Sequence, residues 1–318
     1  MRVITAVVSL LVVMGALLLF IGPDASPSPP IDPEDIDGYA GIILIDGQGV
    51  GAVSIASYEA DTSVTYFAVP GEGSSFLGWY AAGGALLSVS AELTAELAHN
   101  PITATFGTAD QVAKPFTFNY PTYPDPSGTA SASFALVLSL SDYAESLATE
   151  DLPRRSVADR PYPDYMVDPE DYAVLQLAER LSGITAGMGD LAVADVILRC
   201  IQSTIVYTTD GELYETDEFW ATPAETLYAR AGDCEDTAVL FCSVASAMGF
   251  DTALVAFEGH MGAAIHVDGV TGGTEFLGAA LTYVYVETAS DSYAPIGALS
   301  ELFDPMGAIL IEITGDDQ

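Results

Sequence analysis

The spacing of apolar residues divides the chain into a strand-like first part and a helical second part. Between Asp37 and Ser141, short β-branched runs such as GIILI and SVTYFAV alternate with glycine pairs and prolines, a pattern typical of strands. Within this part AELTAELAH has the clearest helical spacing, and SGTASASFALVLSLSDY could form a second helix of small residues. We therefore predict a β-rich domain at residues 37–145 that contains one or two helices.

Beyond residue 166 the apolar spacing becomes that of amphipathic helices. DPEDYAVLQLAERLSG opens with acidic residues, DLAVADVILRCIQSTIVY repeats apolar residues every three or four positions, and CEDTAVLFCSVASAMG ends at Gly249. Strand-like runs follow, namely DTALVAFE, HMGAAIHV and LTYVYVETA. Helices followed by antiparallel strands predict an α+β domain at residues 167–318.

Three further segments lack the pattern of a folded domain. Residues 23–36 and 146–166 are rich in proline and polar residues, and we interpret both as linkers. Residues 1–22 consist of Met, Arg2 and a long uncharged run, and about twenty such residues can span a bilayer. This segment is a signal peptide or a membrane anchor, and the anchor is favoured because no clear cleavage site follows. In both cases we expect an exported protein, either anchored at the cell surface or secreted.

The charge of the chain excludes one class of function. Only 8 basic residues stand against 45 acidic residues, which gives a formal net charge of −37. Such a surface repels nucleic acid and anionic lipid, so we expect no nucleic-acid partner and membrane contact only through the N-terminal segment. The acidic surface is a solvated face that keeps the protein soluble, or an adaptation to concentrated salt or to an acidic extracellular milieu; salt screens charges to short range.

One of the three cysteines lies in an unusual environment. Cys200 and Cys242 lie in apolar helical stretches, where they form part of the core or one disulfide bridge. Cys234 lies in GDCED, at the start of a predicted helix. Asp233 and Asp236 have the spacing of a capping box, which would make Cys234 the first helical residue. The helix dipole stabilises a thiolate there, whereas the flanking carboxylates oppose its ionisation, so a cationic partner is required.

A histidine is the natural partner for this thiol. His99 lies in the β-rich part without a visible link to the cysteine. His260 and His266 lie on one predicted strand and on one face, but roughly 20 Å apart, so only one of them can meet the thiol. His260 is better placed because it follows a glycine at the strand end. Glu287, in the alternating run YVYVETA, is the predicted acid across from His260, unless it only faces solvent at a sheet edge.

These residues resemble a known family. The stretches DVILRCIQSTIVYTTD, PAETLYARAGDCEDTAVL, GHM and YVYVETA are similar to the transglutaminase-like cysteine protease superfamily, especially its secreted or membrane-anchored archaeal and bacterial members. The resemblance covers roughly residues 190–291. It implies a papain-like α+β core with Cys234 as the nucleophile, His260 as the catalytic histidine and Glu287 as the acid. The superfamily usually has aspartate in the third role, and Asp291 is the fallback candidate.

The resemblance also implies a reaction. The Cys234 thiolate attacks an amide carbonyl, His260 acts as acid and base, and a thioester forms. The backbone N–H of Cys234 is a natural donor to the oxyanion. Hydrolysis of the thioester gives a peptidase or amidase, whereas transfer to an amine gives a transglutaminase. Trp220 and Tyr207 are candidate substrate-binding residues, although aromatic residues at such positions are commonly part of the core.

No metal ion or organic cofactor is expected, and the predicted partner is a protein or peptide substrate. The run DGELYETDE at residues 210–218 could hold calcium, but it lacks the ligand spacing of an EF-hand, which favours a solvated loop. The alternative to an enzyme is an inactive surface binding or adhesion module in which the β-rich domain makes the contacts.

Overall fold

The computed structural model describes residues 43–59, 63–82, 84–96, 101–123, 125, 127–149, 152–270, 272–290 and 292–313. The predicted N-terminal segment, the linker at residues 23–36, His99 and Asp291 lie outside the described residues. Among the helices of the described part, none is long and apolar enough to cross a membrane.

The chain forms two compact units. The first consists of the described residues of Met1–Pro115 together with Val137–Leu140, and the second of those of Phe116–Leu136 and Ser141–Gln318. These bounds differ from the predicted boundary at residues 146–166, since Phe116–Leu136 belongs with the second unit. The predicted roles of the domains stay predictions.

The first unit is built from strands, as the β-branched runs predict. A four-stranded sheet has the order β1-β7-β4-β5 and a three-stranded sheet has the order β2-β3-β6. The core of this unit includes Tyr66, Trp79 and Phe106. The strands are β1 Ile43–Asp46, β2 Gly51–Glu59, β3 Ser63–Pro70, β4 Ser74–Ala81, β5 Leu86–Ser88, β6 Glu92–Glu96 and β7 Ile102–Thr108.

Both helices predicted in the β-rich part are wrong over the described residues. AELTAELAH contains strand β6, in which Leu93 and Ala95 point inward while their neighbours are exposed, so an alternation of period two prevails over the helical spacing. SGTASASFALVLSLSDY contains strand β9 (Thr129–Ser139), which forms a two-stranded sheet with β8 (Gln111–Pro121). Helix α1 (Leu140–Leu147) begins only after this strand.

The second unit combines helices with an antiparallel sheet. The sheet has the order β14-β15-β13-β12-β16, and each neighbouring pair is antiparallel. The strands are β12 Thr252–Phe257, β13 His260–Ile265, β14 Glu275–Leu277, β15 Thr282–Val286 and β16 Ile309–Glu312. A second, parallel pair joins β10 (Val206–Tyr207) to β11 (Ala231–Gly232). The predicted α+β fold class is confirmed.

Helix α6 (Cys234–Ala247) lies at the centre of this unit. Residues 235–245 are all buried, because the helix packs on β13 and is covered by α2 and α3. A helix with buried residues all round is typical of a core position. The other helices of the unit are α2 Tyr172–Ile184, α3 Asp190–Thr204, α4 Asp210–Leu213 and α5 Pro223–Ala229.

The described residues of the predicted linker at 146–166 belong to the second unit, and they pack against the start of α5. The guanidinium of Arg154 donates to both carboxylate oxygens of Glu225, at 2.7 and 2.9 Å, and Glu225 is fully buried. The same carboxylate completes a capping box with Thr222 at the start of α5. A short 3-10 helix, Pro163–Met166, ends the segment and buries Met166.

Candidate active site

Cys234 is the first residue of α6, as the sequence predicts. The predicted capping box is absent, however: within the described chain Asp233 occupies the N-cap position without a side-chain capping hydrogen bond. Asp236 instead accepts a hydrogen bond from the backbone N–H of Ala221 at 2.8 Å. Gly232 makes room for this side chain, because a Cβ at residue 232 would lie 2.7 Å from the Cβ of Asp236.

His260 and Glu287 meet across two neighbouring strands. His260 begins β13, and Glu287 follows the last residue of β15, which pairs with β13 through Ala263 and Val286. The Nε2 atom of His260 lies 3.0 Å from Oε2 of Glu287, and the two side chains are 11% and 12% exposed. Because Nε2 is engaged by the carboxylate, Nδ1 is the imidazole nitrogen left for proton exchange with a thiol.

The thiol of Cys234 lies against the strand that carries this histidine. Its sulfur accepts a hydrogen bond from the backbone N–H of Met261, the residue after His260. The thiol also lies near the hydroxyl of Tyr285, which contacts both His260 and Glu287. The structure therefore brings the three predicted catalytic residues into one region at the N-terminus of α6; their catalytic roles stay predictions.

The imidazole is held by an aromatic ring that the sequence analysis missed. The ring of Phe303 stacks on His260 with centroids 4.4 Å apart and an interplanar angle of 11°. Phe303 lies in the segment between β15 and β16, so no local spacing connects it to the histidine. Only the fold reveals this contact.

The surroundings of Cys234 keep its thiol protonated. Burial raises the pKa of the thiol, and the charge of Glu235 raises it further. The S–H group donates to Oε2 of Glu235 at 3.0 Å, which also stabilises the protonated form. The bond from Met261 lowers the pKa, but the net direction is upward. Burial and the flanking carboxylates together therefore outweigh the helix dipole that the sequence analysis set against the carboxylates.

Several carboxyl groups near the cysteine are themselves perturbed. Burial, and then a hydrogen bond with Glu235, raises the pKa of Asp233 to about 8. Burial raises the pKa of Asp210 to about 6 and raises that of Asp236 well above its ordinary range. A buried carboxylate is costly, so these groups favour bound protons or a nearby cation.

Three of these carboxylates form a cluster that could hold a cation. Asp210, Asp233 and Asp236 each offer an oxygen, and these oxygens lie within 4.8 Å of one another. Each of the three has one buried oxygen without a hydrogen-bond partner in the described part of the chain. All-oxygen ligand sets suit calcium or magnesium. The predicted solvated loop at residues 210–218 is thus wrong at Asp210, which is buried and also accepts from the N–H of Phe219 at 2.6 Å.

The two predicted substrate-binding aromatics differ in their surroundings. Trp220 is only 4% exposed, and its indole N–H donates to Glu218 at 2.7 Å, so its side chain belongs to the core. Tyr207 is 50% exposed on β10. Burial raises the pKa of its hydroxyl, and a thiolate at Cys234 would raise it further, because Tyr207 lies near the thiol. Tyr207 therefore suits a substrate-facing position better than Trp220.

His266 lies apart from these catalytic candidates. It follows the last residue of β13, and its Nδ1 atom lies 2.9 Å from the backbone oxygen of Thr282 at the start of β15. The even spacing from His260 thus places the two histidines at opposite ends of the strand, as expected.

Glu287 has further partners that the sequence analysis did not identify. Its Oε2 accepts from Tyr285 at 2.9 Å, its Oε1 accepts from the N–H of Ala289 at 3.1 Å, and its backbone oxygen accepts from Gln202 at 2.5 Å. The next residue, Thr288, pairs its hydroxyl with Thr237, one turn beyond Cys234 in α6, at 3.0 Å. Tyr285 could have been found from the period-two spacing to Glu287, whereas Gln202 belongs to a distant helix and left no signal.

A pocket of about 310 Å³ opens beside Glu287. Small side chains of the segment after β15, such as Ala289 and Ala294, form much of its lining together with Leu299. Glu287 therefore contacts His260 and also lines this space.

The other two cysteines are buried. The structure describes all three cysteines, and each is a free thiol, so Cys200 and Cys242 form no bridge in it. Burial raises the pKa of both buried thiols to about 12. Of the three, Cys234 alone is partly exposed. It is therefore the one thiol available for chemistry.

Comparison with known proteins adds little to this geometry. No protein-family model matches the sequence, and no curated protein matches it. Among solved structures, the chain is similar to a protein from Cytophaga hutchinsonii that is provisionally assigned as a cysteine protease. The two chains are 13% identical, the match covers 65% of this chain and 71% of that one, and the TM-score is 0.29.

Proposed function

We propose that this protein is a cysteine hydrolase of transglutaminase-like fold that acts on peptide or isopeptide amide bonds. The observation that carries the proposal is the His260–Glu287 pair at 3.0 Å, whose strand also bonds to the sulfur of Cys234 through Met261. An acid that fixes an imidazole, on a strand that lies against a thiol at a helix start, suits nucleophilic catalysis.

The residues divide the reaction between them. As the sulfur of Cys234 attacks the carbonyl carbon, the thiol proton passes to Nδ1 of His260, and Glu287 stabilises the imidazolium through Nε2. The imidazolium then protonates the leaving amine as the C–N bond breaks, which leaves a thioester on Cys234. His260 then removes a proton from water, whose oxygen attacks the thioester carbonyl carbon. The C–S bond breaks, the carboxylic acid product leaves, and the sulfur of Cys234 regains the proton from His260. Transfer to an amine instead of water is the same chemistry with another nucleophile.

The location of this activity is also part of the proposal. The uncharged run that follows Arg2 within residues 1–22 supports export, and the net charge of −37 supports concentrated salt or an acidic extracellular milieu. A membrane-anchored or secreted hydrolase would meet protein and peptide substrates outside the cell. The proposal requires neither a metal ion nor an organic cofactor for the thioester chemistry.

One observation favours an alternative, an inactive binding or adhesion module on the same fold. Burial, and then the charge of Glu235, raises the pKa of the Cys234 thiol, whereas an active nucleophile needs the thiolate during the reaction. In the proposed enzyme His260 overcomes this opposition by removing the proton. In the alternative, His260 has no influence on the thiol.

The test is alkylation of the full chain with iodoacetamide, followed by mass spectrometry of each cysteine peptide. We expect Cys234→Ser to abolish native labelling and His260→Ala to slow the labelling of Cys234 about 100-fold. His266→Ala is the matched control, since it removes the other histidine of the same strand, and it should leave the rate unchanged. Equal rates for Cys234 in the wild type and in His260→Ala would contradict the enzyme and support the binding module.

A further inference from the structure

One carboxylate oxygen of Glu287, the acid of the proposed catalytic site, contacts two other polar groups. Side chains two residues apart on a strand share a face, so Tyr285 and Glu287 point to the same side of β15. The Tyr285 hydroxyl donates to Oε2 of Glu287 at 2.9 Å, and the same oxygen lies 3.0 Å from Nε2 of His260. The hydroxyl oxygen is itself 3.3 Å from that nitrogen. The three polar groups therefore form a closed triangle.

The fold leaves a specific space for this hydroxyl. Tyr285 is fully buried, and its ring packs edge-on against Phe257, with centroids 5.8 Å apart and planes at 86°. On the neighbouring strand, a Cβ at Gly262 would lie 2.5 Å from the hydroxyl oxygen of Tyr285. A side chain at position 262 would therefore displace the phenol from the carboxylate. Gly262 thus allows the triangle to form.

The charged groups around the triangle keep each member in its role. Burial raises the pKa of Tyr285, and the charge and hydrogen bond of Glu287 raise it further, so the phenol keeps its proton and remains a donor. Burial by itself raises the pKa of Glu287, but the hydrogen bond and charge of His260 lower it, followed by the hydrogen bonds of Tyr285 and of the N–H of Ala289. The net direction is downward, so the carboxylate remains an acceptor.

The elements packed around the phenol supply few other charges. Cys234 is the residue of α6 that influences the pKa of the Tyr285 phenol, and Cys234 in turn lies near Glu235 and Asp233. The ring neighbours from β12 and β14 are Phe257 and Phe276, which carry no charge.

We propose that Tyr285 is a positioning residue of this site, whose hydroxyl holds the Glu287 carboxylate in the orientation that binds His260. The inference rests on the proposed function. Without the hydroxyl, Oε2 has one donor instead of two, and the carboxylate can turn away from the imidazole. Because a donor stabilises the charged form of a carboxylate, its loss also makes Glu287 easier to protonate.

The chain offers a matched control on the same strand. Tyr283 is also buried in β15, and its hydroxyl donates to Oε1 of Glu312 at 3.1 Å. Tyr285→Phe and Tyr283→Phe therefore each remove one hydrogen bond between a tyrosine and a glutamate from one sheet. Only Tyr285→Phe changes the triangle. The measurement is the rate of Cys234 alkylation by iodoacetamide as a function of pH, in the full chain, together with the midpoint of thermal unfolding.

The acid limb of the alkylation profile reports the protonation of Glu287, which breaks its contact with His260. In Tyr285→Phe we expect this limb to move upward by about one pH unit, the shift typical of one hydrogen bond donated to a carboxylate. Tyr283→Phe should leave this limb unchanged, while it lowers the midpoint of thermal unfolding about as much as Tyr285→Phe does. Gly262→Ala keeps the phenol but displaces it, so it should reproduce the shift of Tyr285→Phe. This second variant makes the test independent of the removal of the hydroxyl.

Other outcomes separate the inference from the function on which it rests. Coincident limbs in the wild type, Tyr285→Phe and Gly262→Ala would overturn the positioning role, as would equal shifts in Tyr285→Phe and Tyr283→Phe. In both cases a strong effect of His260→Ala on the wild-type rate would leave the proposed hydrolase intact. Equal rates in the wild type and His260→Ala would remove the proposed function and the positioning role together.

Discussion

Glu235 controls the reactivity of the neighbouring thiol, and Glu235→Gln should therefore make Cys234 more reactive. The substitution keeps the shape of the side chain and removes its charge. The S–H group of Cys234 donates to Oε2 of Glu235 at 3.0 Å, so this carboxylate stabilises the protonated thiol. After the substitution, the thiolate no longer faces an anion at contact distance.

The size of the effect follows from this distance. Two unit charges 3.0 Å apart repel each other by about 5 kcal/mol at an effective dielectric constant of about 20. This energy corresponds to about four pKa units. The Glu235 charge is spread over two oxygens, and burial raises the pKa of Glu235 itself, so we expect less than half of this value. A decrease of about one to two units in the thiol pKa gives a 10- to 100-fold increase in thiolate at neutral pH.

The assay is the rate of Cys234 alkylation by iodoacetamide between neutral and alkaline pH, with the modified peptide identified by mass spectrometry. Glu258→Gln is the control, because Glu258 is an exposed carboxylate only two residues before His260. It should change the rate little, since solvent screens an exposed charge. A Glu235→Gln variant that reacts at the wild-type rate, or more slowly, would refute the electrostatic account of the thiol.

Two further predictions concern stability. Arg154→Ala should lower the free energy of unfolding in urea by about 3–5 kcal/mol, because it leaves the fully buried Glu225 without its charge partner. Arg155 is exposed, so Arg155→Ala is the control and should change this free energy by no more than about 0.5 kcal/mol. Equal losses would show that the Arg154–Glu225 pair does not anchor residues 146–166. The pKa of Asp233 is raised from 3.8 to about 8, so the folded chain binds the extra proton and its free energy of unfolding should fall as pH rises through this window. Asp233→Asn should flatten this part of the pH profile, and an unchanged slope would argue against the shift.

The sequence predicted the features of the site that depend on short-range spacing. Cys234 at a helix start follows from the periodicity of CEDTAVLFCSVASAMG, and the His260–Glu287 contact follows from two alternating runs that pair as antiparallel strands. Features set by packing between distant segments had no such signal. Asp236 has the spacing of a cap, yet it bonds Ala221, because the neighbouring loop offers an N–H within reach. The sequence predicts that Asp210 lies in a solvated loop, but packing in the folded chain buries it.

The same distinction explains the incorrect helices of the first unit. Glu, Leu, Thr and Ala are compatible with both periods over five residues, so AELTAELAH satisfies a helix and a strand equally well. Pairing of Glu92–Glu96 with β3 decides the matter, since it buries Ala95 next to Val64. A local pattern of this length cannot include that partner strand.

Because Cys200 and Cys242 are buried, a titration of reactive thiols can measure the folded fraction of a preparation. Both thiols are shielded in α3 and α6, while Cys234 is partly exposed. A small thiol reagent should consume one equivalent per folded chain and three per unfolded chain, in line with the three free cysteines. The ratio of the two titrations reports the fraction of a preparation that is correctly folded, without a substrate and without knowledge of the reaction. Kinetic comparisons among the variants that keep Cys234 can be normalised in this way.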